Sequence, residues 1–166
     1  MFRSGTTRSS SLRLFFAAIL WMAAGGSAWA ECRDDRIALR GDFGQVEFRI
    51  DVADTDETRE KGLMFVERMP KFSGMLFIYP RPQRAGFWMK NTLIPLDMLF
   101  FDATGTIRTI HENAEPMSTA LINGGQGILA VLEINGGLAA KLGLREGDVA
   151  RHAAFGTTAA WPCTGE

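Results

Sequence analysis

The chain has 166 residues, with 18 basic and 19 acidic side chains and a formal charge of −1. One domain is the natural count at this length, and a hydrophobic share of 46% with only 6 prolines excludes a disordered or low-complexity chain. The near balance of charge leaves no basic surface for reading a phosphate backbone, so nucleic acid is not an expected partner.

Residues 1–30 read as a secretory signal peptide. Arg3, Arg8 and Arg13 precede the apolar run LFFAAILWMAA, and Ala28-Trp29-Ala30 forms a small-residue cleavage site before Glu31. The apolar run is about half of the ~20 residues that a membrane-spanning helix needs. Glu31 before Cys32 argues against a lipidated cysteine. Cleavage between Ala30 and Glu31 removes three basic side chains and no acidic one, leaving residues 31–166 as a single domain of charge −4. The expected product is periplasmic or secreted, without a membrane span, and monomeric. Cys32 and Cys163 are the two cysteines. In an oxidising compartment such a pair reads as a disulfide. Closing so long a loop contributes about 4–5 kcal/mol in the chain-entropy picture.

Along the rest of the chain, Val46, Phe48, Ile50 and Val52 alternate with polar residues, which predicts a half-buried strand. Asp54 and Glu57 have capping-box spacing ahead of a short polar helix over residues 55–61, stopped by Gly62. Strands are predicted over 74–79, where Pro80-Arg81-Pro82 ends the run, and over 86–90. Residues 96–101 are apolar except for Asp97, as befits a central strand covered on both faces. A turn at 103–105 leads to a strand over 106–112. Residues 113–126 read as a long loop, followed by a strand over 128–134, a helix over 138–142 closed by Gly143, and a last strand over 149–152. The expectation is an α+β, β-rich single domain, with about seven short strands in a partly closed barrel or sheet and two short helices.

Several blocks in this order are distinctive: Arg59-x-x-Gly62-Leu63-Met64, Gly74-Met75-Leu76-Phe77, Phe87-Trp88-Met89-Lys90-Asn91-Thr92, Ile94-Pro95-Leu96-Asp97, Val131-Leu132-Glu133 and Gly147-Asp148. Over residues 37–152 the chain resembles the domain of unknown function 192 family, also called uncharacterised protein family UPF-0127. The resemblance implies a small β-rich domain, often exported, and carries no activity with it.

Function must therefore be sought in the residues. Lys90 and Asp97 each interrupt an apolar segment, and a buried charge is costly unless paired. Two readings follow: an ion pair fixing strand register, or a pocket floor with Trp88 as an apolar wall and Asn91 alongside. Glu133 interrupts a third apolar strand. A Lys90/Asp97/Glu133 group would suit acid–base work in a hydrolase- or transferase-like enzyme. Met64, Met69, Met75, Met89, Met98 and Met117 admit copper handling by thioethers, but lack M-x-M or H-x-M clustering and serve equally as core filler. His111 and His152 are too few and too isolated for zinc, Ser118 lacks a nucleophile motif, and the run Asn123-Gly124-Gly125-Gln126-Gly127 reads as a flexible loop rather than an anion cradle. No cofactor or metal is implied. The leading expectation is a non-catalytic accessory module of the cell envelope that binds a small ligand or a protein partner through Trp88, Lys90, Asn91, Asp97 and Glu133.

Overall fold

The alternating segments assemble into one seven-stranded mixed sheet in the computed structural model, which describes Met1 and residues 32–163. The expected signal peptide and the expected Ala30–Glu31 cleavage site lie outside the described residues. The strands are β1 (Arg36–Gly41), β2 (Gly44–Ala53), β3 (Ser73–Phe87), β4 (Leu96–Asp102), β5 (Ile107–Ala114), β6 (Ile122–Asn135) and β7 (Val149–Arg151). Helices α1 (Asp56–Lys61) and α2 (Leu138–Leu142) follow β2 and β6.

The sheet order is β5-β4-β6-β3-β2-β1-β7. Neighbours are antiparallel except β2 and β3, which run parallel. A parallel pair needs a crossover, and the segment carrying α1 supplies it. The two edge strands approach each other at one end. Thr106 bridges Val149, and the Ala150 amide donates to the Gly105 carbonyl at 2.8 Å. The sheet therefore curls into a half-barrel, as expected of short turn-linked strands.

Both faces carry a core. One holds Ile37, Phe48, Leu76, Leu99, Phe101 and Leu132, closed by Leu138 and Ala139 of α2. The other holds Phe77, Met89, Met98, Phe100 and Val131, with Leu63 after α1. Strands β4 and β6 lie between the two cores, which accounts for the unbroken burial of Leu96–Phe101. Fully burying each such side chain contributes about 1.5–3 kcal/mol.

Four expectations change. Thr55, not Asp54, caps α1. Its hydroxyl accepts from the Thr58 amide at 3.1 Å, and the Thr58 hydroxyl accepts from the Thr55 amide at 3.0 Å. The shorter hydroxyl side chains fill the capping-box geometry that Asp54 and Glu57 were expected to fill. The predicted strand 74–79 and the start of the predicted strand 86–90 are one strand, β3, which ends at Phe87, so that residues 88–90 lie in the segment beyond it. Its register against β6 shifts between Ile78 and Gln83, so Pro80 and Pro82 sit in an irregular, exposed stretch where no ladder donor is needed. The glycine run 123–127 is not a loop but the first half of β6, with Asn123 opposite Gly86 and Gly125 opposite Ala85. A Cβ on Gly124 would lie 2.0 Å from the Phe100 ring, so glycine here admits an aromatic side chain against the backbone. Finally, β1 is a strand the periodicity did not mark, with Ile37 and Leu39 fully buried. Cys32 and Cys163 form the expected disulfide, Cα atoms 5.3 Å apart, joining the two ends of the domain.

Candidate functional site

Asp97 and Lys90 do not meet. Asp97 is fully buried on β4, and three backbone amides satisfy its carboxylate. Oδ1 accepts from Asn113 at 2.7 Å and Gly137 at 2.8 Å, while Oδ2 accepts from Ala139 at 2.7 Å. Gly137 begins α2 with a left-handed backbone and no side-chain cap of its own. Asp97 thus caps α2 from the strand next to β6 and ties it to the end of β5. The expected Lys90–Asp97 pair is corrected: charge-assisted bonds from amides give the carboxylate what a lysine would have given. Lys90 is exposed, with its ammonium 5.2 Å from the Trp88 ring centroid.

Trp88, Lys90 and Glu133 border one cleft of about 510 Å³ between α1 and the segment that follows β3. Asp97 and Asn91 do not border it. Asn91 instead holds loops together. Its carbonyl accepts from the Phe65 amide at 2.8 Å, and its side-chain amide faces the Met64 sulfur at 3.9 Å. The hydrolase-like group of Lys90, Asp97 and Glu133 is therefore not assembled, because Asp97 is sealed away from the other two.

Glu133 is the unusual group in the cleft. It is 4% exposed and lies opposite Met75 of β3 and Met98 of β4. It has no hydrogen-bond partner among the described residues, and burial alone pushes its pKa up to about 8. A carboxyl group without a compensating charge or donor takes up a proton instead of remaining ionised. Its carboxyl end reaches the cleft. Near neutrality it is mainly a neutral carboxylic acid that can donate one hydrogen bond and accept others.

Sequence reasoning missed the opposite wall. Gly62 ends α1 at φ +47°, and Leu63 then turns into the core. Arg59 Nη1 donates to the Ile78 carbonyl at 2.7 Å and also to the Asp54 carbonyl, while Nη2 pairs with Asp56. A six-residue helix with no buried side chain is marginal alone, and this guanidinium fastens it to β3. Tyr79 lies beside Arg59, 5.7 Å from ring centroid to guanidinium carbon. Burial raises the Tyr79 pKa against the opposing pull of the Arg59 charge, with nearby Glu133 adding a smaller push upward. The floor includes Phe77 and Phe87, in edge-to-face contact at 5.1 Å. Arg59, Gly62 and Leu63 stand together in one block of the family resemblance, but spacing alone could not set them opposite Glu133.

Three loops meet beside the cleft. Besides the Phe65–Asn91 bond, the Met89 amide donates to Ser118 at 2.9 Å and the Met117 amide to Thr92 at 3.0 Å. Phe65, Asn91 and Met117 all have left-handed backbones, at φ 65°, 56° and 63°. Non-glycine residues rarely adopt this conformation, and it is often found at functional sites. Phe65, Trp88, Leu93, Met117 and Leu121 are exposed along these loops.

The remaining candidates have structural places. The ring Nδ1 of His152 accepts from the Ala154 amide at 3.1 Å, capping a short 3-10 turn, whereas His111 is exposed on β5. Ser118 Oγ accepts from the Ala120 amide within its own loop. Met64 borders the cleft, whereas Met89 and Met98 are fully buried in the core. Among the described residues, no cluster of three His, Cys, Asp or Glu side chains could hold a metal ion.

The curled mixed sheet, with a cleft between its crossover helix and the FWMKNT segment, defines a class of small β-rich half-barrel domains. The chain belongs to the DUF192 family (Uncharacterized ACR, COG1430), whose profile matches residues 38–152. It is similar to a protein of unknown function from Novosphingobium aromaticivorans, at 40% identity and a TM-score of 0.68 over 69% of this chain and 82% of that one. It is also similar to a Sinorhizobium meliloti protein provisionally described as a transcription regulator, at 39% identity and a TM-score of 0.71 over 75% of this chain and 98% of that one. No curated protein matches the chain.

Proposed function

We propose that this protein is an exported accessory module that binds a small ligand in the cleft above Glu133 without transforming it. The observation that carries the reading is a buried carboxyl group with no partner among the described residues, open to a cleft of ligand size. Holding such a group costs stability, and a fold that keeps one beside a concavity gains an anchor for a polar atom of a guest. Binding is favoured over catalysis because Asp97, the second carboxylate that acid–base chemistry would draw on, is spent on α2. Export is supported by the leader-like residues 1–30 and by a disulfide suited to an oxidising compartment.

A thermal-shift screen of the purified protein against small polar and amphipathic compounds tests the binding. A ligand at 100 times its Kd stabilises by about 2.7 kcal/mol, and its effect should shrink in Glu133→Gln. Ligands that stabilise the variant as much as the wild-type protein would remove Glu133 from the site. Intact-mass measurement of cell-envelope protein tests export, the expected product beginning at Glu31.

A second reading rests on the exposed apolar side chains of the three bonded loops. They would suit docking of a protein partner beside the cleft. Replacing Phe65 and Leu121 by Ser would then weaken a partner complex and leave small-ligand binding unchanged.

A further inference from the structure

We infer that the cleft takes a small organic acid, whose apolar or aromatic body lies against Phe77, Phe87 and Trp88 and whose anionic group is met at the mouth by Lys61 and Lys90. This rests on the binding reading above and adds to it the chemical class of the ligand.

The cleft falls within the ~300–1,000 Å³ typical of small-molecule sites. Its aromatic side is preorganised, since Phe87 stands edge-on to both Phe77 and Phe100. Offset and edge contacts of this kind fix ring planes that a flat guest can cover.

The charges at the mouth are unequal. Arg59, Lys61 and Lys90 border it against Glu60 as the only other charged group besides Glu133. Arg59 is committed to Asp54, Ile78 and Asp56. Lys61 and Lys90 are exposed, and neither forms a salt bridge among the described residues. Lys90 is held over Trp88, so its ammonium stands beside the aromatic wall. In a chain of net charge −1 this is a local reversal of sign, and such a mouth favours anions.

Glu133 adds the second half of the selection. Arg59, Lys61 and Lys90 share its cleft, yet no ion pair joins any of them to it. A neutral carboxyl group neither attracts a cationic guest nor repels an anionic one. It offers its proton to an acceptor oxygen deep in the cleft. A guest with an ammonium group would face three cationic side chains with Glu60 as the one opposing charge at the mouth.

Three probes with one body and different charge test this: 2-naphthoate, 2-naphthamide and protonated 2-naphthylmethylamine, titrated into the protein at pH 7 and followed by amide and indole chemical shifts. The expected order of affinity is carboxylate, then amide, then ammonium, with shifts at Gly62, Leu63, Thr92 and the Trp88 indole. The double variant Lys61→Met/Lys90→Met changes only exposed side chains. It should weaken naphthoate by about fivefold and leave naphthamide unchanged. If amide or ammonium binds as tightly as carboxylate at these residues, or if the preference survives in the double variant, the inference is overturned while the cleft remains a binding site. If none of the probes shifts these residues, both readings fail.

Discussion

Asp97 offers the sharpest test of how the fold is tied together. Asp97→Asn keeps the size of the side chain, removes its charge, and replaces one acceptor oxygen by an NH2 group. The amide of Ala139, now 2.7 Å from Oδ2, would face a donor, while the Asn113 and Gly137 amides would keep a neutral acceptor in place of a charged one. Bonds to a charged group contribute about 1.5–3 kcal/mol each, neutral ones about 1, and a buried donor left unpaired costs about 1–3 more. The expected loss is at least about 3.5 kcal/mol, a large part of the roughly 5–15 kcal/mol that stabilises a domain. Lys90→Met should cost within about 1 kcal/mol, because it removes an exposed side chain and one cation–π contact. Urea unfolding followed by circular dichroism measures both, and hydrogen exchange should show the Gly137 and Ala139 amides losing protection in Asp97→Asn. An ion pair predicts the opposite pattern. Lys90→Met would then cost as much as Asp97→Asn, and Lys90→Met with Asp97→Leu would recover most of the loss. That outcome would refute the amide clasp.

Glu133 links stability to pH. Its folded pKa is raised, so the folded protein binds the extra proton between the ordinary carboxyl value of 4.5 and about 8. Its contribution is full below 4.5 and is lost as pH rises through about 8, by up to about 1.4 kcal/mol per pH unit. Glu133→Gln should flatten this fall in urea midpoints measured from pH 5 to 9. His152 has a lowered folded pKa through burial; its contribution is present above 6.5 and lost as pH falls, so the wild-type-minus-variant difference cancels it. Gly124→Ala should destabilise by about 1–3 kcal/mol through collision with Phe100, seen as a lower unfolding midpoint; an unchanged midpoint would mean that β6 does not pack there. Reducing Cys32–Cys163 frees the ends of a 131-residue separation and should cost about 4–5 kcal/mol in the chain-entropy picture. Equal stability of the reduced and oxidised proteins would show that the bridge adds nothing to the fold.

What could be read from residues alone follows from which interactions have a sequence signature. The double-sided burial of β4 shows as consecutive apolar residues, and α2 is bracketed by Gly137 and Gly143, so both were legible. The run at 123–127 was not, because glycine marks a flexible turn and a backbone pressed against Phe100 by the same letter. Asp97 was recognisable as a buried charge, but its partners are main-chain amides, which every residue carries. Lys90 is an opposite charge with a sequence signature, whereas the amides that hold Asp97 have none. Glu133 was marked by its position in an apolar strand. Its cleft was not, since the antiparallel pairing of β3 with β6 brings Tyr79 to it and the parallel crossover brings Arg59 on α1.

Ligand binding in the cleft depends on one carboxyl group, Glu133, being unpaired, open to the cleft and neutral at pH 7. Titration of the Glu133 side-chain carbonyl carbon by NMR, with Glu133→Gln identifying the signal, measures this directly. The predicted midpoint lies near 8, moving when an occupant fills the cleft. A midpoint at or below 4.5 would show an ionised group with a partner, and would contradict both the neutral anchor and the binding site built on it.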